Sequence, residues 1–158
     1  MKKLLFLLIF LIPLTALPCS FDSKVIGVID GDTITVIFKG HPQKIRIHQI
    51  DTPEKEQPFS NKAKQFVSNL IFGKSVNVEI EDIDKYGRIV GEVTLLNGRK
   101  LHEELLKAGM AWVYDRYAVD PNLYKLQDKA RKDKVGLWID KNPIAPWEYR
   151  IKINDRKR

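Results

Sequence analysis

Arg46 stands five residues ahead of Asp51-Thr52-Pro53-Glu54, and both follow Asp30-Gly31-Asp32. Carboxylates carried on two different strands, joined by a backbone carbonyl and waters, make an oxygen-only site suited to Ca²⁺ or Mg²⁺. A guanidinium among them offers forked donors to phosphate oxygens, through charge-assisted bonds that strengthen as negative charge develops in a phosphorane. Glu54, three residues beyond Asp51, is placed to position and deprotonate a water beside a dication. Arg88 can offer a second fork. These residue types point to metal-dependent phosphodiester chemistry. Each also has a plainer reading: Asp30-Gly31 suffices as a turn, Asp51 can cap the turn at Thr52-Pro53, and a lone arginine usually forms a surface ion pair. Asp32 is the exception, because a strand-opening aspartate is a poor β-former that the turn does not need.

The elements that must hold these residues follow from periodicity. Val25, Gly27 and Ile29 alternate, as do Ile34, Val36 and Phe38, and Asp30-Gly31 between them predicts a hairpin. A third strand is expected over Lys44 to Ile50, with Arg46 and His48 on the face opposite Ile45 and Ile47. Pro58 is expected to open a helix through Phe59, Ala63, Phe66, Val67, Leu70 and Ile71, stopped by Gly73. Strands follow over Ser75 to Glu81 and Ile89 to Leu96, linked by Asp84-Lys85-Tyr86-Gly87. A second helix is expected from Lys100 to Ala108, and a third from Asp120-Pro121 to just before Gly136. Five short strands with a helix between the third and fourth predict an α+β chain, a five-stranded OB-fold β-barrel with three helices.

With 158 residues the chain suits one domain with a single modest core. Met1-Lys2-Lys3 and the apolar run from Leu4 to Leu17 read as a signal peptide over residues 1–20, followed by the domain at 21–150 and a basic, solvated tail at 151–158. The run is short of the roughly 20 apolar residues of a membrane span. Export, to a secreted or periplasmic location, is expected over a lipid-anchored or membrane-anchored form, with cleavage after Ala16, Cys19 or Ser20. Without residues 1–20 the chain keeps 25 basic and 20 acidic residues, a net charge of +5. That balance favours a polyanionic partner. Cys19 is the sole cysteine, so no intramolecular disulfide forms and stability must come from packing.

In series, Val28-Ile29-Asp30-Gly31-Asp32-Thr33, Arg46 with Asp51-Thr52-Pro53-Glu54, Asp84-Lys85-Tyr86-Gly87-Arg88 and Ala108-Gly109-Met110-Ala111-Trp112 resemble the staphylococcal nuclease (thermonuclease) family. The order and approximate spacing agree from about residue 24 to 140. Gly136-Leu137-Trp138 and Pro146-Trp147-Glu148-Tyr149-Arg150 look like the closing segment of its secreted bacterial members. The resemblance implies a Ca²⁺-dependent endonuclease with an OB-fold, one Ca²⁺ per site, hydrolysing DNA and RNA to 3′-phosphate products and expected to be a monomer. It implies Asp32, Asp51 and the Thr52 carbonyl as metal ligands with Asp30 nearby, Glu54 as general base or water-positioning residue, and Arg46 and Arg88 as phosphate-binding arginines. Lys85, Tyr86 and Tyr117 fall at nucleotide-contacting positions. The segment after Glu54 is shorter than the lysine-rich loop of the best-studied member, and one of two tyrosines near the base pocket is replaced by Asp115 or shifted to Tyr114.

The rival reading is a non-catalytic OB-fold module that binds nucleic acid. His41, His48 and His102 lack mutual ligand spacing for zinc, and Trp112, Trp138 and Trp147 sit in apolar neighbourhoods that suit core packing better than base stacking.

Overall fold

The computed structural model describes residues 19–156, so the expected signal segment lies outside the described residues apart from Cys19 and Ser20. Strands β1 (Ser20–Val28), β2 (Thr33–Phe38), β3 (His41–Ile47), β5 (Ser75–Ile83) and β6 (Ile89–Leu95) close a barrel in the order β1-β2-β3-β6-β5. All seams are antiparallel except β3–β6, which is parallel, with Arg46 opposite Val90. The alternating apolar residues point inward: Val25, Ile34, Val36, Ile45, Ile47, Val76, Val78 and Val93 are buried in one cluster. Helix α1 (Ser60–Ile71) adds Val67 and Ile71 to that cluster, and α2 (Leu101–Lys107) adds Leu101, Leu105 and Leu106.

The barrel and its connecting helix agree with the sequence reading, and the differences have local causes. The third strand spans His41–Ile47, and the chain then breaks at Gln49 (φ 65) into a separate two-residue strand, β4 (Ile50–Asp51). That strand pairs with β7 (Trp112–Val113), bringing Asp51 opposite Trp112. Helix α1 begins at Ser60 because Phe59 adopts a left-handed backbone (φ 70) that cannot continue back to Pro58. Helix α3 (Pro121–Lys132) starts as expected, with the Asp120 carboxylate accepting from the Asn122 N–H at 2.8 Å. The described residues form four helices and a short 3-10 turn (Gly136–Ile139), not three helices. The fourth, α4 (Pro146–Arg156), takes in most of the stretch expected to be a solvated tail. A tryptophan column seats it: Trp112 lies 4.4 Å from Trp138 and 5.9 Å from Trp147, and Trp147 stacks on Tyr114 at 5.5 Å.

The hairpin turn also has a different logic from the one its Asp-Gly suggests. Gly31 does not have positive φ, so the turn does not demand glycine for its hand. It demands glycine for space: a Cβ there would stand 2.8 Å from the Ala63 Cβ and 2.9 Å from Thr52. Gly31→Ala should therefore destabilise the protein by roughly 1–3 kcal/mol through overpacking between the turn, α1 and Thr52. Urea denaturation checks this, and an unchanged midpoint would show that the turn relaxes freely.

Candidate active site

The hairpin β1–β2, the end of β3 and the short strand β4 converge on one cluster of charge. Asp32 is fixed first by backbone: its carbonyl accepts from Ile47 N–H at 2.8 Å, tying the turn to β3. Its carboxylate then takes three donors: the Thr52 N–H (2.9 Å) and hydroxyl (2.8 Å) on one oxygen, and the Thr33 hydroxyl (3.1 Å) on the other. Arg46 reaches across from β3, with Nη2 at 3.3 Å from Asp32 and 2.9 Å from Asp51. Its Nη1 donates to the Ile47 carbonyl at 2.7 Å, which locks the fork in orientation. Asp32, Asp51 and Thr52 are buried, at 6 %, 2 % and 3 % exposure, so the site is set into the protein rather than on an open rim.

Burial and partners act in opposite directions on these carboxyls. Burial alone would raise Asp32, but Arg46 and the Thr52 donors outweigh it and hold its pKa below the usual value. Asp51 is raised, because burial and the neighbouring Asp32 outweigh the guanidiniums beside it. Asp30, whose Oδ1 accepts from the Asp32 N–H at 3.0 Å, is pushed up to about 6 by burial and by the Asp32 charge.

Two residues join this site that the sequence reading did not assign to it. Arg150, from α4, places Nη2 at 2.7 Å from Asp51 Oδ2 and pairs through Nη1 with Glu54. Gln57 is buried beneath the Glu54 turn, where its Oε1 accepts from the Glu54 N–H at 2.9 Å and its Nε2 donates to the Ile144 carbonyl at 2.6 Å. The Glu54 turn is thereby tied to the segment that leads into α4. Only the arginine had a sequence signal, as the last residue of the closing segment, and no periodicity said that it folds back nearly a hundred positions.

The remaining expected residues form two other groups. Lys85, Tyr86 and Arg88 occupy the β5–β6 turn, where Asp84 accepts from the Tyr86 and Arg88 N–H groups and from Arg88 Nε at 2.7 Å. Partial burial works against the Asp84 charge, but those donors hold its pKa below the usual value. Lys85 Nζ and Arg88 Cζ lie 5.1 Å and 5.6 Å from the Tyr86 ring. Gln43 donates to the Gly87 carbonyl at 3.0 Å and anchors this turn to β3. Tyr117 is half-exposed beside Tyr114, with ring centroids 5.3 Å apart. Neither group bonds the carboxylate cluster among the described residues, and Arg88 is tied to Asp84 instead.

A family model described as staphylococcal nuclease homologue matches residues 44–140 of this chain. The chain belongs to the staphylococcal nuclease family. An uncharacterized endonuclease of Escherichia coli is 38% identical over 150 residues, covering 95% of this chain and 98% of that protein. A micrococcal nuclease of Shigella flexneri is 33% identical over 142 residues, covering 82% of this chain and 80% of its own. A staphylococcal-like nuclease of Arabidopsis thaliana is 38% identical over 107 residues, 68% of this chain and 33% of that longer protein. The family match begins at Lys44 and so takes in Arg46, Asp51 and Glu54, whereas Asp32 and Arg150 lie on either side of it.

The raised Asp30 pKa of this nuclease has a measurable sign. A folded-state pKa near 6 against 3.8 unfolded contributes stability that is fully present below pH 3.8 and lost as pH rises through about 6. In chelator, Asp30→Asn should stabilise the protein at pH 7 by about 1 kcal/mol. The difference between the two proteins should shrink as pH falls toward 4. Paired urea titrations across that range are the check, and a constant difference would remove Asp30 as its source.

Proposed function

We propose that this nuclease is an exported endonuclease that hydrolyses phosphodiester bonds of DNA and RNA with Ca²⁺, leaving 3′-phosphate ends. The observation that carries the reading is Arg46 bridging Asp32 and Asp51 at 3.3 Å and 2.9 Å, with Glu54 one turn beyond. This arrangement sets buried acidic oxygens, a fixed guanidinium and a half-buried carboxylate around one point.

The donor set fits a hard dication, though sparsely. Among the described residues no three His, Cys, Asp or Glu side chains converge as a ready-made cage. Asp32 and Asp51 supply carboxylate oxygens, and the Thr52 carbonyl accepts no hydrogen bond among the described residues. Two carboxylates and one carbonyl, completed by water, match the oxygen-only preference of Ca²⁺ and leave room for a substrate oxygen. A dication held there would polarise the phosphate and lower the pKa of water.

The chain's own residues do the rest. Arg46, locked on the Ile47 carbonyl, presents its fork where equatorial phosphate oxygens gain charge. Glu54 accepts a proton from water as the new P–O bond forms; the bond to the 5′ oxygen breaks, and that oxygen takes a proton from solvent water as it leaves, Glu54 returning its own to solvent. Lys85, Tyr86 and Tyr117 serve the flanking nucleotides, and Arg88 serves phosphate from the β5–β6 turn. Tyr86 is 72 % exposed and Lys85 is exposed beside it, which suits residues that meet a ligand rather than a core. Export is supported by Lys2, Lys3 and the apolar run at Leu4–Leu17. Cys19 already accepts from the Ile80 N–H at 2.9 Å and Ser20 pairs with Glu79, which favours Ala16 among the three cleavage positions.

Two measurements test the reading. Asp51→Asn should abolish Ca²⁺-dependent cleavage of DNA while keeping the shape of a residue whose truncation would take one carboxylate partner from each of Arg46 and Arg150; full activity in excess chelator would sink the metal assignment. Glu54→Gln should slow single-turnover cleavage by roughly 100-fold or more while changing oligonucleotide affinity little, because the amide keeps the shape but accepts no proton. Equal losses in both would leave Glu54 a substrate contact only.

A further inference from the structure

We propose that Arg150, delivered by α4, is a third phosphate-binding arginine of this centre, exchanging Asp51 and Glu54 for the substrate phosphate when a nucleotide enters. The inference rests on the phosphodiesterase reading above and adds to it a residue from outside the span matched by the family model.

Geometry places the guanidinium where a phosphate must come. The proposed chemistry needs a phosphodiester close to both Asp51 and Glu54, and Arg150 contacts those two side chains together. Its donors are only partly used: Nη2 is committed to Asp51 at 2.7 Å and Nη1 to Glu54, while a second Nη1 contact to Asp51 is long at 3.5 Å. The Nε–H makes no hydrogen bond among the described residues, leaving further donors for an incoming anion.

Exposure separates this arginine from a purely structural clamp. Asp51 is 3 % exposed at its side chain, but Arg150 and Glu54 are 40 % and 36 % exposed, so the guanidinium is at the mouth of the site with Asp51 behind it. An ion pair as open as Arg150–Glu54 adds little stability. It has a geometric consequence instead: the guanidinium occupies the Glu54 carboxylate oxygen that a water would otherwise approach. A phosphate that draws Arg150 away would free Glu54 to take a proton from water, so substrate arrival and base activation become one event.

Charge points the same way. Asp30, Asp32, Asp51 and Glu54 are four carboxylates against two guanidiniums, Arg46 and Arg150, leaving a doubly negative centre when all are ionised. A dication would balance it, and the carboxylates would then hold Arg150 less strongly, making a phosphate its best remaining partner. Arg88 is already bonded to Asp84 through Nε. Helix α4 gives Arg150 a fixed pivot, because Trp147 is packed against Trp112 and Tyr114 one turn earlier.

Calorimetric binding of thymidine 3′-phosphate, a phosphate monoester that presents no diester to cleave, is the test, with the full chain in Ca²⁺ and again in chelator. Arg150→Met should weaken Ca²⁺-dependent nucleotide binding by roughly tenfold or more, the effect of losing one charge-assisted hydrogen bond. Arg150→Lys, which keeps the cation but not the fork, should recover part of it. Ca²⁺ binding measured without nucleotide should be unchanged or tighter in Arg150→Met, since a competing cation has been removed from Asp51. Nucleotide affinity within twofold of the wild type, or parallel loss of Ca²⁺ binding, would overturn the proposal and leave Arg150 a structural clamp. Circular dichroism identifies a variant that has lost α4; the lysine variant then decides, and its failure to bind nucleotide more tightly than the methionine variant also overturns the proposal. If the wild type binds the nucleotide equally well in chelator and still cleaves DNA there, the Ca²⁺-dependent reading falls, and this inference with it.

Discussion

Asp32 is the fixed point of the molecule. One buried carboxylate takes the Thr52 backbone and hydroxyl, the Thr33 hydroxyl and the Arg46 guanidinium, while its own carbonyl pairs with β3. It thereby joins the β1–β2 turn, the third barrel strand and the strand that carries Asp51. A buried charge is tolerated only when it is this well satisfied, and satisfying it determines where every neighbour must lie. The close approach of Gly31 to Ala63 and Thr52 is the steric counterpart of the same constraint.

Residues near one another in the chain, or linked by strand periodicity, were legible before any coordinates. The Asp-Gly hairpin, the alternation of Ile45 and Ile47 around Arg46, and the 3.6-residue spacing from Ala63 to Ile71 each encode local structure through which residues are apolar. The barrel layout followed from them, while the grouping of Asp32, Asp51 and Thr52 with Arg46 rested on the resemblance of the motifs taken in series. Positive φ at Gln49 and Phe59 was not legible, since neither residue type announces a left-handed backbone, and those two positions shifted the ends of β3 and α1. Nor was α4: its polar composition looks like a tail, and it is held by a few aromatic contacts rather than by a continuous apolar stripe. Arg150 and Gln57 were missed for the same reason, because their partners lie at sequence distances that no periodicity spans.

The architecture divides labour between rigid and movable parts. Asp32, Thr52 and Arg46 sit on barrel strands or their immediate ends, with bonds to backbone groups that leave them one orientation. Glu54, Lys85, Tyr86 and Tyr117 sit on turns that are tied down by one or two side chains each: Gln57 under the first, Asp84 and Gln43 under the second, Gln49 beneath the segment following the third. The Asp32–Arg46–Asp51 cluster is set where packing is dense, whereas Glu54 and the exposed Lys85 and Tyr86 are carried by loops, which tolerate change in sequence and length.

The strand seams, those of the barrel and the separate β4–β7 pair, also determine how the chain must assemble. β1 pairs with its neighbour β2 but also with β5, Ser20 lying opposite Glu79, while β3 pairs in parallel with β6 and β4 waits for β7. Three of these seams join segments separated by more than forty residues, so loop-closure entropy must be overcome before they return any contact energy. Such a topology belongs at the slow end of small-protein folding. Until β7 arrives, β4 has no partner strand, so the acidic centre is completed late, and a partly synthesised chain would carry its carboxylates still in water.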